Sequence, residues 1–135
     1  MPVTVWNADL RIGLAGIDRQ HKKLFSIIHE LATAVARGEG MNEMSKLLSG
    51  LTVYTQTHFR LEEQYFEEFG YPERVSHQSE HFAFMQKLRE LGNAFGRGEP
   101  DVDTAALVFL ADWLRNHIKG TDQKYVEFLK DRGVR

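Results

Sequence analysis

The chain contains no cysteine among its 135 residues. Disulfide bonds, cysteine-ligated zinc, iron–sulfur clusters and thiol catalysis are therefore excluded. A net charge of −2 offers neither the basic surface that nucleic acid requires nor a polybasic segment for membranes. No apolar run approaches the ~20 residues of a membrane span, and the first residues lack the basic-then-apolar profile of a signal peptide. We therefore expect a cytoplasmic protein with no nucleic-acid or membrane partner.

The overall composition is that of an ordinary globular protein, with 42% hydrophobic and 27% charged residues. The length fits a single domain over residues 1–135 with its own hydrophobic core. Residues 1–17 show no helical period, whereas apolar residues recur with helical spacing after them. The pattern predicts an all-α protein with an irregular N-terminal arm, four helices and a short C-terminal helical segment.

Glycine, proline and acidic residues mark the predicted helix ends. Asp18 is the expected N-cap of the first helix, and Asp101 or Asp103 that of the fourth, while Gly70 with Pro72 forms a strong stop signal. The predicted helices span about 18–37, 41–69, 73–95 and from 101–103 through 117, followed by a last turn over 125–129. Short connections between long helices favour an antiparallel up-down-up-down four-helix bundle.

Seven polar residues lie within the apolar faces of these helices, where an unpaired imidazole or carboxylate is costly to bury. They are His21, His58, Glu62, His77, His81, His117 and Asp122. A satisfied core histidine would explain any one of them, but it explains poorly why every helix carries such a residue. The sixth histidine, His29, lies at the edge of the first helix's apolar stripe and is interpreted as solvated or as a supporting residue.

The spacing of these residues suits side chains that converge on one centre. His58 and Glu62, like His77 and His81, are four residues apart and therefore share a helix face. The five-residue step from His117 to Asp122 would place the two side chains about 140° apart on a regular α-helix. A π-bulge would bring them together, and Gly120 makes it easier to form. We therefore predict irregular helix geometry within residues 117–122.

Five imidazoles and two carboxylates without a thiolate suit iron, manganese, cobalt or zinc. Suppose that the two carboxylates and a shared oxygen each bridge two six-coordinate ions. All coordination positions but one are then filled. A single open position on a two-metal centre suits a small diatomic ligand.

The same residues carry a resemblance to a known family. The series His21, His58-x-x-x-Glu62, His77-x-x-x-His81 and His117-x-x-x-x-Asp122 resembles the haemerythrin family, in particular its bacterial branch, the bacteriohaemerythrins. The surrounding segments 17–25, 58–63 and 113–118 match as well, and the resemblance covers essentially the whole chain.

The resemblance implies a non-haem di-iron centre, with two iron ions per chain and a bridging oxo or hydroxo group. It implies that His77, His81 and His117 bind one iron, that His21 and His58 bind the other, and that Glu62 and Asp122 bridge them. Dioxygen would bind reversibly, as hydroperoxide, at the five-coordinate iron. The implied oxygen pocket is lined by Leu24, Phe59, Trp113, Leu114, Ile118 and Tyr125.

Reversible oxygen transport or storage, without enzymatic activity, is therefore the predicted function. Alternatives are an oxygen or redox sensor, an iron store, a di-iron oxidase that handles peroxide or nitric oxide, and a helical bundle without a cofactor. Five histidines favour reversible binding over oxidation, since di-iron oxidases are rich in carboxylates. A monomer is expected because no long exposed apolar stripe is evident, and any oxygen-consuming protein partner is unknown.

Overall fold

A computed structural model describes residues 4–135, and within that range the chain is helical and contains no strand. The α-helices are α1 (Ala15–Ala36), α2 (Gly40–Phe69), α3 (Arg74–Gly96), α4 (Val102–Asn116) and α5 (Gln123–Asp131). A 3₁₀ turn, Ala8–Leu10, lies in the N-terminal arm, and a π-helical segment, His117–Asp122, joins α4 to α5. The all-α prediction is confirmed. None of the helices in the described range is long and apolar enough to span a membrane.

Four long helices form a ring in which α1 packs against α2 and α4, and α3 packs against the same two helices. Short loops connect consecutive helices, so neighbours run in opposite directions. This arrangement is the predicted up-down-up-down bundle. It brings the start of α1, the end of α2, the start of α3 and the end of α4 to one end of the molecule.

The helix ends agree with the predicted bounds except at α1. Gly70 ends α2 in the left-handed conformation, at φ 68°, where glycine carries no steric penalty. The prediction that Asp18 caps α1 is wrong. The helix begins at Ala15, and Asp18 lies in its first turn, where the carboxylate accepts hydrogen bonds from the amides of Ile12 and Gly13. A carboxylate in the first turn also suits the helix dipole.

The residue at the start of α4 behaves differently from a capping residue. Asp101 occupies the N-cap position with φ 60°, but its side chain makes no capping hydrogen bond. The N-terminal arm packs against the bundle, with Leu10, Ile12 and Leu14 buried in the core.

Apolar side chains fill the bundle away from the end where the seven polar residues lie. Ile28 of α1 belongs to the main hydrophobic core there, together with Met44 and Leu51 of α2. On α2 the inward side chains near the polar end are Phe59 and Phe66. The aromatic side chains of the same helix that are only half-buried are Tyr54, Tyr65 and Phe69. On α2, the buried side chains far from the polar residues are thus mainly aliphatic, and those beside them are aromatic.

Candidate metal centre

The antiparallel bundle brings all seven predicted polar residues to the same place. Each is at most 4% exposed. They project inward from every wall of the ring: His21 from α1, His58 and Glu62 from α2, His77 and His81 from α3, and His117 and Asp122 from the π-helical segment. Residues that are far apart in the chain therefore form one cluster. His29 is exposed and lies outside it, with Nδ1 2.9 Å from Thr4 Oγ1.

The carboxylate of Asp122 faces histidines on both sides of the cluster. Its Oδ1 lies 3.2 Å from His77 Nε2 and 3.1 Å from His117 Nε2. The other oxygen, Oδ2, lies 3.2 Å from His21 Nε2. A carboxylate in this position can offer one oxygen to each of two metal ions.

Glu62 also stands between the two groups of histidines. Its Oε1 lies 3.3 Å from His58 Nε2 and 3.2 Å from His81 Nε2. Its Oε2 accepts a hydrogen bond from the hydroxyl of Tyr125, which is fully buried. The tyrosine therefore holds the oxygen that does not face His58 and His81.

Two overlapping sets of donor atoms result. In each set the donor atoms all lie within 4.8 Å of one another. One set is Glu62, His77, His81 and His117, and the other is His21, His58, Glu62 and Asp122. The first contains three imidazoles and the second contains two.

Most donor atoms that point into the cluster lack hydrogen-bond partners of suitable geometry; Nε2 of His21 and Nε2 of His58 lie 3.1 Å apart and pair with each other. Within residues 4–135 the buried, unpartnered atoms here are Oε1 of Glu62, both carboxylate oxygens of Asp122, and Nε2 of His77, His81 and His117. Leaving so many buried polar atoms unsatisfied in one place would cost several kcal/mol at ~1–3 kcal/mol each. Imidazole nitrogens and carboxylate oxygens are all metal donors, so bound metal ions would satisfy them together. The residues present therefore fit a metal centre.

The ionisation of the cluster also suits metal binding. Burial lowers the pKa of His58 and of His81 to about 4, although nearby carboxylates act in the opposite direction. Both imidazoles are thus neutral at pH 7, as metal ligands must be. Burial alone would raise the pKa of Asp122, but His117, His21 and His77 hold it well below its ordinary value. One anionic carboxylate therefore lies at the centre of the cluster.

His117 differs from these two histidines. Burial acts to lower its pKa, but Asp122 and Glu62 nearby raise it to about 9. Without metal this imidazole retains a proton at neutral pH. A metal ion that binds its Nε2 must displace that proton.

The π-helical segment resolves the awkward spacing of His117 and Asp122. The prediction of irregular geometry over residues 117–122 is confirmed, since all six residues adopt π-helical geometry. The wider turn brings the two side chains to 3.1 Å of each other, measured from Nε2 to Oδ1. The side chain of Thr121, in the same segment, donates to Glu80 Oε1 on α3 at 2.8 Å. This bond holds the irregular segment against the bundle.

Three polar residues outside the predicted set accept hydrogen bonds from histidines of the cluster. His58 Nδ1 donates to Gln20 Oε1 at 2.6 Å, His81 Nδ1 to Glu63 Oε2 at 2.8 Å, and His117 Nδ1 to Glu80 Oε1 at 3.0 Å. Each bond engages the Nδ1 proton, so Nε2 is the nitrogen that faces the cluster and binds a metal ion. Nδ1 of His21 is buried and has no such partner among residues 4–135.

A sequence signal for these supporting residues exists but is easily missed. Gln20 precedes His21, Glu63 follows Glu62, and Glu80 precedes His81. Each lies beside a cluster residue in the chain, yet each bonds a histidine on a different helix. Sequence adjacency marks them as candidates, but only helix packing identifies the histidine that each one serves.

Aromatic rings cover the cluster on the side of α3 and α4. The ring of Phe59 stacks on His81 at a centroid distance of 3.6 Å, and Trp113 stacks on His117 at 4.3 Å. Both belong to the six residues predicted to line an apolar pocket. Leu24, Phe59, Trp113 and Leu114 do line a common cavity. Ile118 and Tyr125 are fully buried but are not among the residues that line it.

The fold and the site together define a four-helix bundle with a buried centre of histidines and carboxylates that can hold metal. Comparison with known proteins gives the same result. Residues 13–129 match the family described as "Hemerythrin HHE cation binding domain". The chain belongs to the haemerythrin family.

Relatives and solved structures agree with this membership. A bacteriohaemerythrin of Stenotrophomonas maltophilia (strain R551-3) is 33% identical over 96% of this chain and 84% of its own length. One from Methylococcus capsulatus (strain ATCC 33009 / NCIMB 11132 / Bath) is 32% identical over 93% and 95%, respectively. A crystal structure of wild-type haemerythrin superposes with a TM-score of 0.82 at 31% identity, covering 91% of this chain and 95% of that one.

Proposed function

We propose that this protein binds dioxygen reversibly at a non-haem di-iron centre, as an oxygen carrier or store rather than as an enzyme. The observation that carries the proposal is the asymmetry of the cluster. Three imidazoles lie on one side and two on the other, and Glu62 and Asp122 each face both sides. If both carboxylates bridge, the side with two histidines has one donor fewer and leaves room for an outside ligand.

The proposed iron identity rests on family membership together with the donor set. When bound, two irons would supply the two electrons that reversible binding of dioxygen requires. His77, His81 and His117 would hold one ion, His21 and His58 the other. Glu62 and Asp122 would hold both.

The protein's own contribution is to position these ligands and to exclude water. Gln20, Glu63 and Glu80 keep their histidines oriented, and the hydroxyl of Tyr125 holds Glu62. Apolar surroundings favour a small neutral molecule over ions, and they limit the access of water and protons that would promote irreversible oxidation. The predominance of imidazole over carboxylate supports binding rather than oxidative catalysis, because carboxylate-rich sites mark the oxidising di-iron bundles.

Iron analysis and optical spectroscopy of the purified protein test the proposal. Two irons per chain and a visible band that appears in air and bleaches under argon over repeated cycles are expected. Oxygen consumption that depends on an added substrate, without a reversible coloured form, would contradict it. A chain that binds no iron would contradict it as well.

Histidine variants provide a matched comparison. His58→Ala removes a proposed ligand and should lose the optical band and much of the iron. His29→Ala removes the exposed sixth histidine and should keep both. Equal iron content in the two variants would count against the assigned ligand set.

A further inference from the structure

A surface groove with a volume of about 820 Å³ runs between α2 and α3. Both helices contribute side chains to its walls, and His81 is among the residues that line it. The groove therefore reaches the outer side of the metal centre, where His81 Nδ1 meets Glu63. None of the functions described above uses this surface.

Two apolar side chains of α3 stand in the groove with most of their surface in contact with solvent. Val75 is 68% exposed and Phe82 is 65% exposed. Within residues 4–135 the other large apolar side chains that are exposed lie outside the groove, and they are Val5, Val53 and Val108. Exposed apolar side chains that gather in one groove indicate a contact surface for another molecule. The expectation of a monomer rested on the absence of such a surface.

The opposite wall of the groove, on α2, carries two charges of opposite sign. Arg60 and Glu67 both line it and are both exposed. They lie about 10 Å apart along the helix axis, too far to pair with each other. Neither has an ion-pair partner within the part of the chain that the structure describes, residues 4–135. A partner surface with the reverse order of charges would pair with both.

A second copy of this chain presents that reverse order. When a two-fold axis crosses the groove at right angles, α2 faces α2 of the other copy, and the two helices run in opposite directions. With the axis midway between Arg60 and Glu67, Arg60 faces the partner's Glu67, and Glu67 faces the partner's Arg60. Both charges are then paired by one symmetry operation.

The exposed apolar residues of α3 share the same axis. On α2, Glu62 Oε1 lies 3.2 Å from His81 Nε2 and 3.9 Å from His77 Nε2, so it is level with the turn of α3 between these histidines. The midpoint of Val75 and Phe82 therefore lies across the groove from the midpoint of the charged pair, to within about one residue of helix rise. On the axis that pairs the charges, Val75 faces the partner's Phe82.

The arrangement also brings the partner to the support of the metal centre. Glu63 and Gln64 both line the groove and lie on either side of the axis. The side chain of Glu63, which is 36% exposed, therefore faces the partner's Gln64, whose amide can donate to it. The outer end of the contact between Glu63 and His81 is then covered by the second copy.

The size of the groove sets the strength of the contact. Two adjacent helices over about three turns cover on the order of 400 Å² in each copy. A standard stable interface covers about 800 Å² in each partner. The contact should therefore be a dissociable one rather than a permanent one.

We propose that a second copy of this chain docks on the groove between α2 and α3 and forms a weak two-fold dimer. In this dimer Arg60 pairs with the partner's Glu67, and Phe82 packs against the partner's Val75. The dimer depends only on the outer surface of the bundle, so it stands or falls independently of oxygen binding.

Sedimentation velocity of the purified protein tests for the dimer directly. The dissociation constant expected for an interface of this size lies between about 10 μM and 1 mM. The dimer fraction should therefore rise across that range of chain concentration. A chain that stays monomeric throughout the range would overturn the proposal.

A pair of matched substitutions tests which face is used. Phe82→Asp places an unpaired carboxylate in the contact and should weaken association by about tenfold or more. The control is Val108→Asp, at a position on α4 that is 45% exposed and lies outside the groove. It should leave association unchanged. Both positions are exposed, so both variants should fold. Equal association of the two variants would overturn the assigned face.

Charge reversal tests the symmetry of the contact. In a dimer of Arg60→Glu, or of Glu67→Arg, like charges face each other twice, so each variant alone should be monomeric. Mixed in equal amounts, the two variants should associate, because both contacts of the mixed dimer join opposite charges. A mixture that stays monomeric would overturn the two-fold arrangement. Association of either variant alone that is as strong as that of the wild type would overturn it as well.

Discussion

Glu80 connects α3 to the π-helical segment through a single oxygen. Its Oε1 accepts hydrogen bonds from His117 Nδ1 at 3.0 Å and from the Thr121 hydroxyl at 2.8 Å. Partial burial acts to raise the pKa of Glu80, but these two hydrogen bonds and the nearby histidines lower it below its ordinary value. The side chain is thus an anionic acceptor at neutral pH. It holds the His117 tautomer whose Nε2 faces the centre.

We expect Glu80→Ala to weaken metal binding without unfolding the bundle. A hydrogen bond to a charged group contributes about 1.5–3 kcal/mol when well shielded. The side chain of Glu80 is 42% exposed, and water will replace part of the lost interaction, so about 1–2 kcal/mol is the reasonable range. That free energy corresponds to a loss of roughly 5- to 30-fold in metal affinity. The range overlaps the effect typical of residues that orient metal-bound histidines.

Competition with a chelator measures this effect directly. The fraction of metal retained by wild type and variant is followed at increasing chelator concentration and fixed pH. Glu90→Ala is the matched control, since Glu90 is a surface glutamate of the same helix whose carboxylate lies 3.7 Å from Lys87 Nζ. Affinity of Glu80→Ala within twofold of this control would refute the reasoning. Glu80→Gln should lie between the two, because an amide oxygen accepts the same bonds without the charge.

Three further predictions concern stability. Tyr125→Phe should lower the free energy of unfolding by about 1–3 kcal/mol, since Oε2 of Glu62 loses its buried donor. Asp18→Ala should cost a similar amount and speed amide hydrogen exchange in the N-terminal arm, because the carboxylate accepts two arm amides. The metal-free protein should lose stability between pH 6.5 and pH 4, by about 2 kcal/mol at pH 5 for each of His58 and His81. In this range the unfolded histidines take up protons that the folded ones, with a pKa of about 4, do not.

Denaturant unfolding of matched variants checks these expectations. Tyr65→Phe, at a half-buried position on α2, and Asp9→Ala, at an exposed position in the arm, should each change stability by less than about 0.5 kcal/mol. The raised pKa values of Glu62 and of His117 offset part of the acid effect, because a group that is protonated in the folded state at a higher pH than in the unfolded state works in the opposite direction. If the metal-free protein is as stable at pH 5 as at pH 6.5, or more stable, that result contradicts the pKa values assigned to these histidines.

Local patterns were sufficient for most of the helix bounds and failed where a side chain had a tertiary partner. Gly70 stops α2 through its own backbone conformation, which nearby residues determine. Asp18 has the composition of an N-cap, but its carboxylate reaches back to the arm, and that partner depends on where the chain before α1 lies. Capping propensity is a local property, so it could not distinguish these two uses of one aspartate.

The amino-acid sequence by itself determined the identity of the seven converging side chains and the irregular step between His117 and Asp122. Helical periodicity controls which face a residue occupies, and burial of polar groups is costly enough to make the pattern visible. Only the tertiary structure decided that Gln20, Glu63 and Glu80 each serve a histidine on another helix. These features depend on the distances between helices and on the rotamers that packing permits, and no spacing along a single helix encodes them.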